Sequence, residues 1–165
     1  MRPRLSYYHP NGRGTGCAVQ FELHPAHGMT EGSVWVAFAK QKTVGMVEGT
    51  TRILPTFDMD NRIWIKLDMY DLMQMLQVFR GMQESIEDGK GLFHRTQEYY
   101  DIIKLEHRIE PVPGYLFEVS RRKYESEDAP ERIGIVFSVA EALGLSLAIE
   151  QSILYVAFGI PEVLK

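Results

Sequence analysis

The chain is short of the features that announce a mechanism. It has one cysteine, Cys17, in 165 residues, which excludes a disulfide framework and a cysteine-based zinc site. No Gly-x-Ser-x-Gly elbow occurs, and no glycine-rich loop leads into a helix. Asn11-Gly12-Arg13-Gly14-Thr15-Gly16 is glycine-rich, but a strand-like stretch follows it, so the helix dipole that a phosphate would need is missing. The start, Met-Arg-Pro-Arg, lacks the apolar stretch of a signal peptide, and no apolar run reaches membrane-spanning length. These absences lead to the expectation of a cytoplasmic, non-catalytic protein without a cofactor and without membrane contact.

Surplus positive charge is also missing. The formal net charge is −4, which argues against a strongly electrostatic nucleic-acid binder, but the distribution softens that. Residues 1–52 carry six Lys/Arg against three acids and residues 90–124 seven against five, whereas 53–89 have three against seven and 125–165 two against seven. The β-rich stretches are thus mildly basic and the stretches ending in helices hold the negative charge, which permits a basic face on an acidic protein. Of the five histidines, His24 and His27 beside Glu22 come nearest to a metal cluster, but their spacing matches no ligand pattern. His9 with His94, and His24 with His107, fall at related places in the two halves, as structural residues would. No metal site is expected.

What the chain does have is a repeated junction. Arg132-Ile133-Gly134-Ile135-Val136-Phe137 reads as a strand entering a long apolar helix through Ser138 and Glu141. Ser as cap with Glu three residues on forms a capping box, in which each side chain bonds a free amide of the other residue. Arg62-Ile63-Trp64-Ile65-Lys66-Leu67, then Asp68 and Asp71, repeats the construction. Upstream, Val19, Phe21 and Leu23 alternate with polar residues, as do Val34, Val36 and Phe38 in the stretch 33–42. Matching Lys40-Gln41-Lys42 with Arg121-Arg122-Lys123 aligns Val34, Val36 and Phe38 with Tyr115, Phe117 and Val119. A strand over 100–109 places Ile103, Leu105 and Ile109 on one side. The fold expected is α+β: one domain, 1–165, made of two antiparallel β-sheet-plus-C-terminal-helix repeats (about 1–89 and 90–165) packed together. The helices fall at about 69–87 and 139–157. The first half alone carries an insertion, 43–61, in which 51–57 forms an edge strand. The last helix is apolar nearly all round, so both sides need covering, and a homo-oligomer is expected.

If Ile63, Ile65 and Leu67 face the helix, Trp64 and Lys66 face away, and Trp35 lies opposite Val34, Val36 and Phe38. Both tryptophans are therefore expected on a non-helix face in company with Lys66, Lys104, Arg108 and Arg122. Flat aromatics among cations form a stacking platform for unpaired bases, worth about 1–3 kcal/mol per base. The competing reading has that face packed on the other sheet or on another subunit. Lys40, Lys42, Arg121 and Lys123 end two matching strands, where they serve as paired phosphate contacts or as cations snorkelling from the core edge.

A strand-rich unit closed by one helix and used twice resembles the whirly and Pur-type single-stranded-nucleic-acid-binding fold, over essentially the whole chain. The likeness lies in element order and in the repeated Arg-Ile-x-Ile junction. The Lys-Gly-Lys-type motif of the plant whirly proteins is absent, so no residue role carries over. The resemblance implies two packed sheets clasped by helices, oligomers, and single-stranded DNA or RNA held along the β-surface. The alternative is an oligomeric interaction or scaffold protein.

Overall fold

The structure, a computed structural model, describes residues 3–161. Strands β1 (Arg4–His9), β2 (Cys17–His24), β3 (Ser33–Thr43), β4 (Met46–Glu48), β5 (Thr51–Ile53), β6 (Thr56–Phe57) and β7 (Ile63–Leu67) precede helix α1 (Met69–Phe79). Then come β8 (Leu92–Arg95), β9 (Tyr99–Arg108), β10 (Gly114–Lys123), β11 (Glu131–Phe137) and helix α2 (Val139–Phe158). One sheet runs β1-β2-β3 with β7 on β3, and the other runs β11-β10-β9-β8. Each is an antiparallel meander followed by a helix, as the repeated junction requires.

The register confirms the alignment of the halves. Val36 lies between Phe21 and Ile65, and Phe117 between Leu105 and Ile135. Inward residues of both sheets meet in one core, where Phe117 packs on Phe38 at 5.0 Å and on Phe21 at 5.9 Å between ring centres. The two sheets thus pack inner face to inner face, and α1 and α2 close the core beside them. At some 25 cal/mol per Å², each fully buried Leu or Phe here contributes about 1.5–3 kcal/mol.

Both capping boxes are present. Asp68 accepts from the Asp71 amide at 3.0 Å while Asp71 accepts from the Asp68 amide at 3.0 Å. Ser138 and Glu141 do the same at 3.2 and 2.8 Å. Such a cap stabilises a helix by about 1 kcal/mol.

Several expectations need correction. Helix α1 stops at Phe79 rather than 87, because Gly81 takes a φ of 68°. Its amide bonds to the Val78 carbonyl and that of Met82 to Gln77, the paired closing bonds of a left-handed glycine cap. Ile86, which continued the helical spacing, is instead buried by a left-handed turn, Glu87 and Asp88 having φ of 49 and 52°. The insertion forms no single edge strand: β5 pairs with β4 in an exposed hairpin, and after Pro55 only Thr56 and Phe57 join β3. Strand β9 ends at Arg108, leaving Ile109 exposed. By register His24 matches Arg108, not His107, whereas His9 and His94 do correspond.

Helix α2 shows two faces. Ala142, Leu145, Ile149, Ser152 and Val156 are buried on the sheets, while Val139, Leu143, Leu147, Leu154 and Phe158 stand exposed. Contrary to the sequence reading, its 20 residues, mean hydropathy 1.3 in the most apolar window, are long and apolar enough to cross a membrane by length and composition alone. Here that length clasps the sheets.

Candidate nucleic-acid interface

The outward faces of the two sheets carry the aromatic and cationic side chains, and they point away from the shared core in different directions. On the first sheet, cross-strand neighbours form rows: Tyr8-Ala18-Ala39, then Gln20-Ala37-Trp64, then Arg4-Glu22-Trp35-Lys66. The indoles of Trp35 and Trp64 meet edge to face at 6.3 Å. They are half-buried, lying beside alanines that are 1% exposed. Trp64 is already covered: the guanidinium carbon of Arg62 sits 5.1 Å and that of Arg4 5.7 Å from its ring centre. Arg4 is held there by Glu22 at 2.7 Å, and that hydrogen bond keeps the Glu22 carboxyl below its ordinary pKa. Arg62 is poorly satisfied. Its Nη1 donates to Gln20 at only 3.4 Å, and its buried Nε has no acceptor among the described residues, a cost of about 1–3 kcal/mol.

The second sheet is finished differently. Arg95, Tyr100 and Arg122 stand side by side across β8, β9 and β10, and Phe93, Ile102, Ser120 and Arg132 form the next row. Directly opposed residues on one face sit close enough to act as a unit. Tyr100 lies 5.6 Å from Phe93 and 5.8 Å from Tyr124 between ring centres, a run of three rings with Arg95 stacked on the first at 5.2 Å. Phe93 is 52% exposed. Lys104, Arg108, Arg122, Arg132 and Arg95 face Glu106 and Glu118 on this surface. Arg108 is drawn to Glu106 at 3.5 Å, and Arg95, Lys104 and Arg132 have no ion pair among the described residues.

The residues singled out from the sequence are therefore divided. Trp35, Trp64 and Lys66 are together on the first sheet, but Lys104, Arg108 and Arg122 belong to the second, so the single platform expected is two. Lys40, Lys42, Arg121 and Lys123 share the inward parity of Phe38 and Val119 and sit at strand ends. Lys40 is engaged by Glu131 at 2.7 Å. Lys42 is exposed near Asp58. Arg121 is spent on Asp101, which is 1% exposed, through two bonds of 2.8 Å. That bidentate pair raises the pKa of Arg121 further, and it ties the seam by a contact to the Trp64 carbonyl at 3.4 Å. Phe93, Arg95, Tyr100, Tyr124 and Arg132 were missed. The period of two through 99–108, which turns Tyr100 out beside Lys104 and Arg108, was the available signal.

Elsewhere the titratable groups are structural. Cys17 is buried, its thiol pushed up to about 12 by desolvation. Glu22 takes His24 at 2.9 Å. Among the described residues no three His, Cys, Asp or Glu side chains gather to hold a metal. His9 bonds Glu141 at 2.8 Å and His94 reaches Asp71 at 3.0 Å, so the first strand of each half braces the helix cap of the other.

A twice-used meander and helix, with an inner core and two outward β-surfaces, is the whirly-type fold. Solved structures share it, two of them from Arabidopsis thaliana. WHY1 from Arabidopsis thaliana superposes with a TM-score of 0.73 at 16% identity, covering 96% of this chain and 86% of that one. WHY3 from Arabidopsis thaliana does so with 0.70 at 17%, covering 96% and 90%. No protein-family model and no curated protein sequence matches the chain. The likeness is one of fold.

Proposed function

We propose that this protein is a non-catalytic, cytoplasmic binder of single-stranded DNA or RNA with little sequence preference, acting as a homo-oligomer. One observation carries the reading: the row of Arg95, Tyr100 and Arg122 with the exposed rings of Phe93 and Tyr124 beside it. Rings accept any base by stacking, and flanking cations neutralise the backbone without reading sequence. Trp35 and Trp64 form a second, partly covered platform, with Lys66 beside Trp35. The test is anisotropy of labelled oligo-dT at rising salt. Binding that weakens as salt rises supports the proposal, and no binding at about 50 µM protein contradicts it.

The oligomer rests on α2. Five exposed apolar residues, Val139, Leu143, Leu147, Leu154 and Phe158, lie along the side opposite its buried face, and a second copy of the chain covers them in the proposed assembly. Leu147→Glu should convert the assembly to monomer by native mass. A wild-type protein that is already monomeric would instead favour a scaffold role with a different partner on α2.

A further inference from the structure

We propose that the cleft between the start of β7 and the β10–β11 loop is a phosphate site, gripping a bound strand where it passes from one sheet to the other. The cleft has a volume of about 360 Å³ and is lined by Arg62 from the first sheet and by Arg121, Arg122 and Lys123 from the second. At about 30 Å³ per water in the liquid, this accommodates a phosphate with its sugar.

The charges in the cleft do not cancel. Arg121 is neutralised by Asp101, and Glu131 by Lys40. Arg122 gives one bond, 3.2 Å, to the Ser126 carbonyl and keeps its other donors. Lys123 is exposed and has no ion pair among the described residues. The remaining acid, Asp128, lines the cleft and accepts from the Ser126 hydroxyl at 3.1 Å, while its own amide bonds that hydroxyl, so one negative charge stays on the cleft wall. Arg62, Arg122 and Lys123 stand against that one acid, a net surplus of two positive charges around one space. Arg62 is the least satisfied of them, with its orphaned Nε. Arginine's fork of donors suits a phosphate, and an anion in the cleft offers it the acceptors it lacks. Because the same guanidinium covers Trp64, an occupied cleft draws Arg62 off the indole and changes its emission, while Arg4 stays over the ring.

The inference deepens the nucleic-acid reading and rests on it for the nature of the ligand, but the cleft is testable without a nucleic acid. Inorganic pyrophosphate is titrated into the full chain while tryptophan emission is followed. A saturable change is expected, weakened at least tenfold in an Arg62→Gln/Lys123→Gln variant whose circular dichroism and melting match the wild type. Arg122→Gln, which leaves Trp64 untouched, is the second variant and should weaken it as well. Oligo-dT carrying a 5′-phosphate is then compared with its 5′-hydroxyl form. A terminal-phosphate site favours the first only in the wild type; an internal one holds both alike, and the double variant lowers the salt slope by about 0.7 per lost contact. Absence of a saturable pyrophosphate signal, with an unchanged salt slope in the double variant, overturns the cleft and leaves oligonucleotide binding standing. Pyrophosphate binding without oligo-dT binding supports the cleft and defeats the nucleic-acid reading.

Discussion

Where the first sheet pairs Ala37 with Trp64, the second pairs Glu118 with Gly134; where the first has Gly16 and Gln41, the second has Tyr100 and Arg122. These are matching places in one repeated frame. On the first sheet a large indole lies beside a small methyl group, and Gln41 accepts the amides of Asn11 and Gly16 to close a loop. On the second, Tyr100 is itself half-buried between two rings, but those rings, Phe93 and Tyr124, and the neighbouring Arg95 are left exposed. The inward faces, by contrast, remain apolar in both halves, because each must supply the same core. One scaffold therefore carries a self-covering outward face and an open one, and the open one is suited to stack bases. The difference lies in side-chain size at paired positions, which changes what a sheet exposes without changing its register.

The sharpest contrast is in stability. Cys17 pairs with Lys40 and Asp101 pairs with Arg121, again at matching places. Asp101→Ala strands a charged, half-buried guanidinium at the seam, and denaturant melts should show a loss of about 3–5 kcal/mol. Lys40→Ala, breaking an exposed pair with Glu131, should cost no more than about 1 kcal/mol. Equal losses would mean that the seam is not the asymmetric brace described. Next, Tyr100→Ala should weaken oligo-dT by about 1–3 kcal/mol in anisotropy titrations, with a stability loss of about 1 kcal/mol from its two ring contacts. Trp64→Ala should do the reverse, losing about 2 kcal/mol of stability as its neighbours are uncovered and changing affinity only a few-fold.

The smallest effects come from the reciprocal braces. Bonding to Asp71 raises His94 above its ordinary 6.5 against the opposing effect of burial. The folded state then holds the proton more tightly, so its contribution, about 1 kcal/mol, is full below pH 6.5 and is lost as pH rises through the raised value. Glu141 has the opposite sign. Burial pushes it up, but bonds from His9 and Ser138 outweigh burial and hold it below 4.5, so its contribution is present above pH 4.5 and lost as pH falls through the lowered value. His94→Gln should flatten the alkaline slope of stability and leave the acid slope alone. A change on the acid side instead would show that the two braces are not independent.

The element order, the capping boxes and the pairing of the halves were legible because each is written locally, in a period of two or in four adjacent residues. The end of α1 was not. Ile86 kept the apolar spacing of a helix, and only the positive φ of Gly81 shows that the chain has already turned. The role of Arg121 depends on Asp101, 20 residues away and opposite it across a strand pair, so its side chain could be read as free. Tryptophan drew attention to the first sheet, yet whether an indole is open depends on what lies over it. Arg62 reaches Trp64 from two residues earlier on the same face, but Arg4 reaches it from β1, which lies beyond β3 and β2 in the sheet, and nothing in the residues around Trp64 announces that second contact.

Photo-cross-linking of a halogenated-uracil oligonucleotide, with the attached residues mapped by mass spectrometry, tests the central claim most directly. Adducts on Phe93, Tyr100 and Tyr124, lost when competing unlabelled oligo-dT is added, are the expected result. Adducts confined to Trp35 and Trp64, or none on either sheet under conditions where the oligonucleotide is bound, would contradict it.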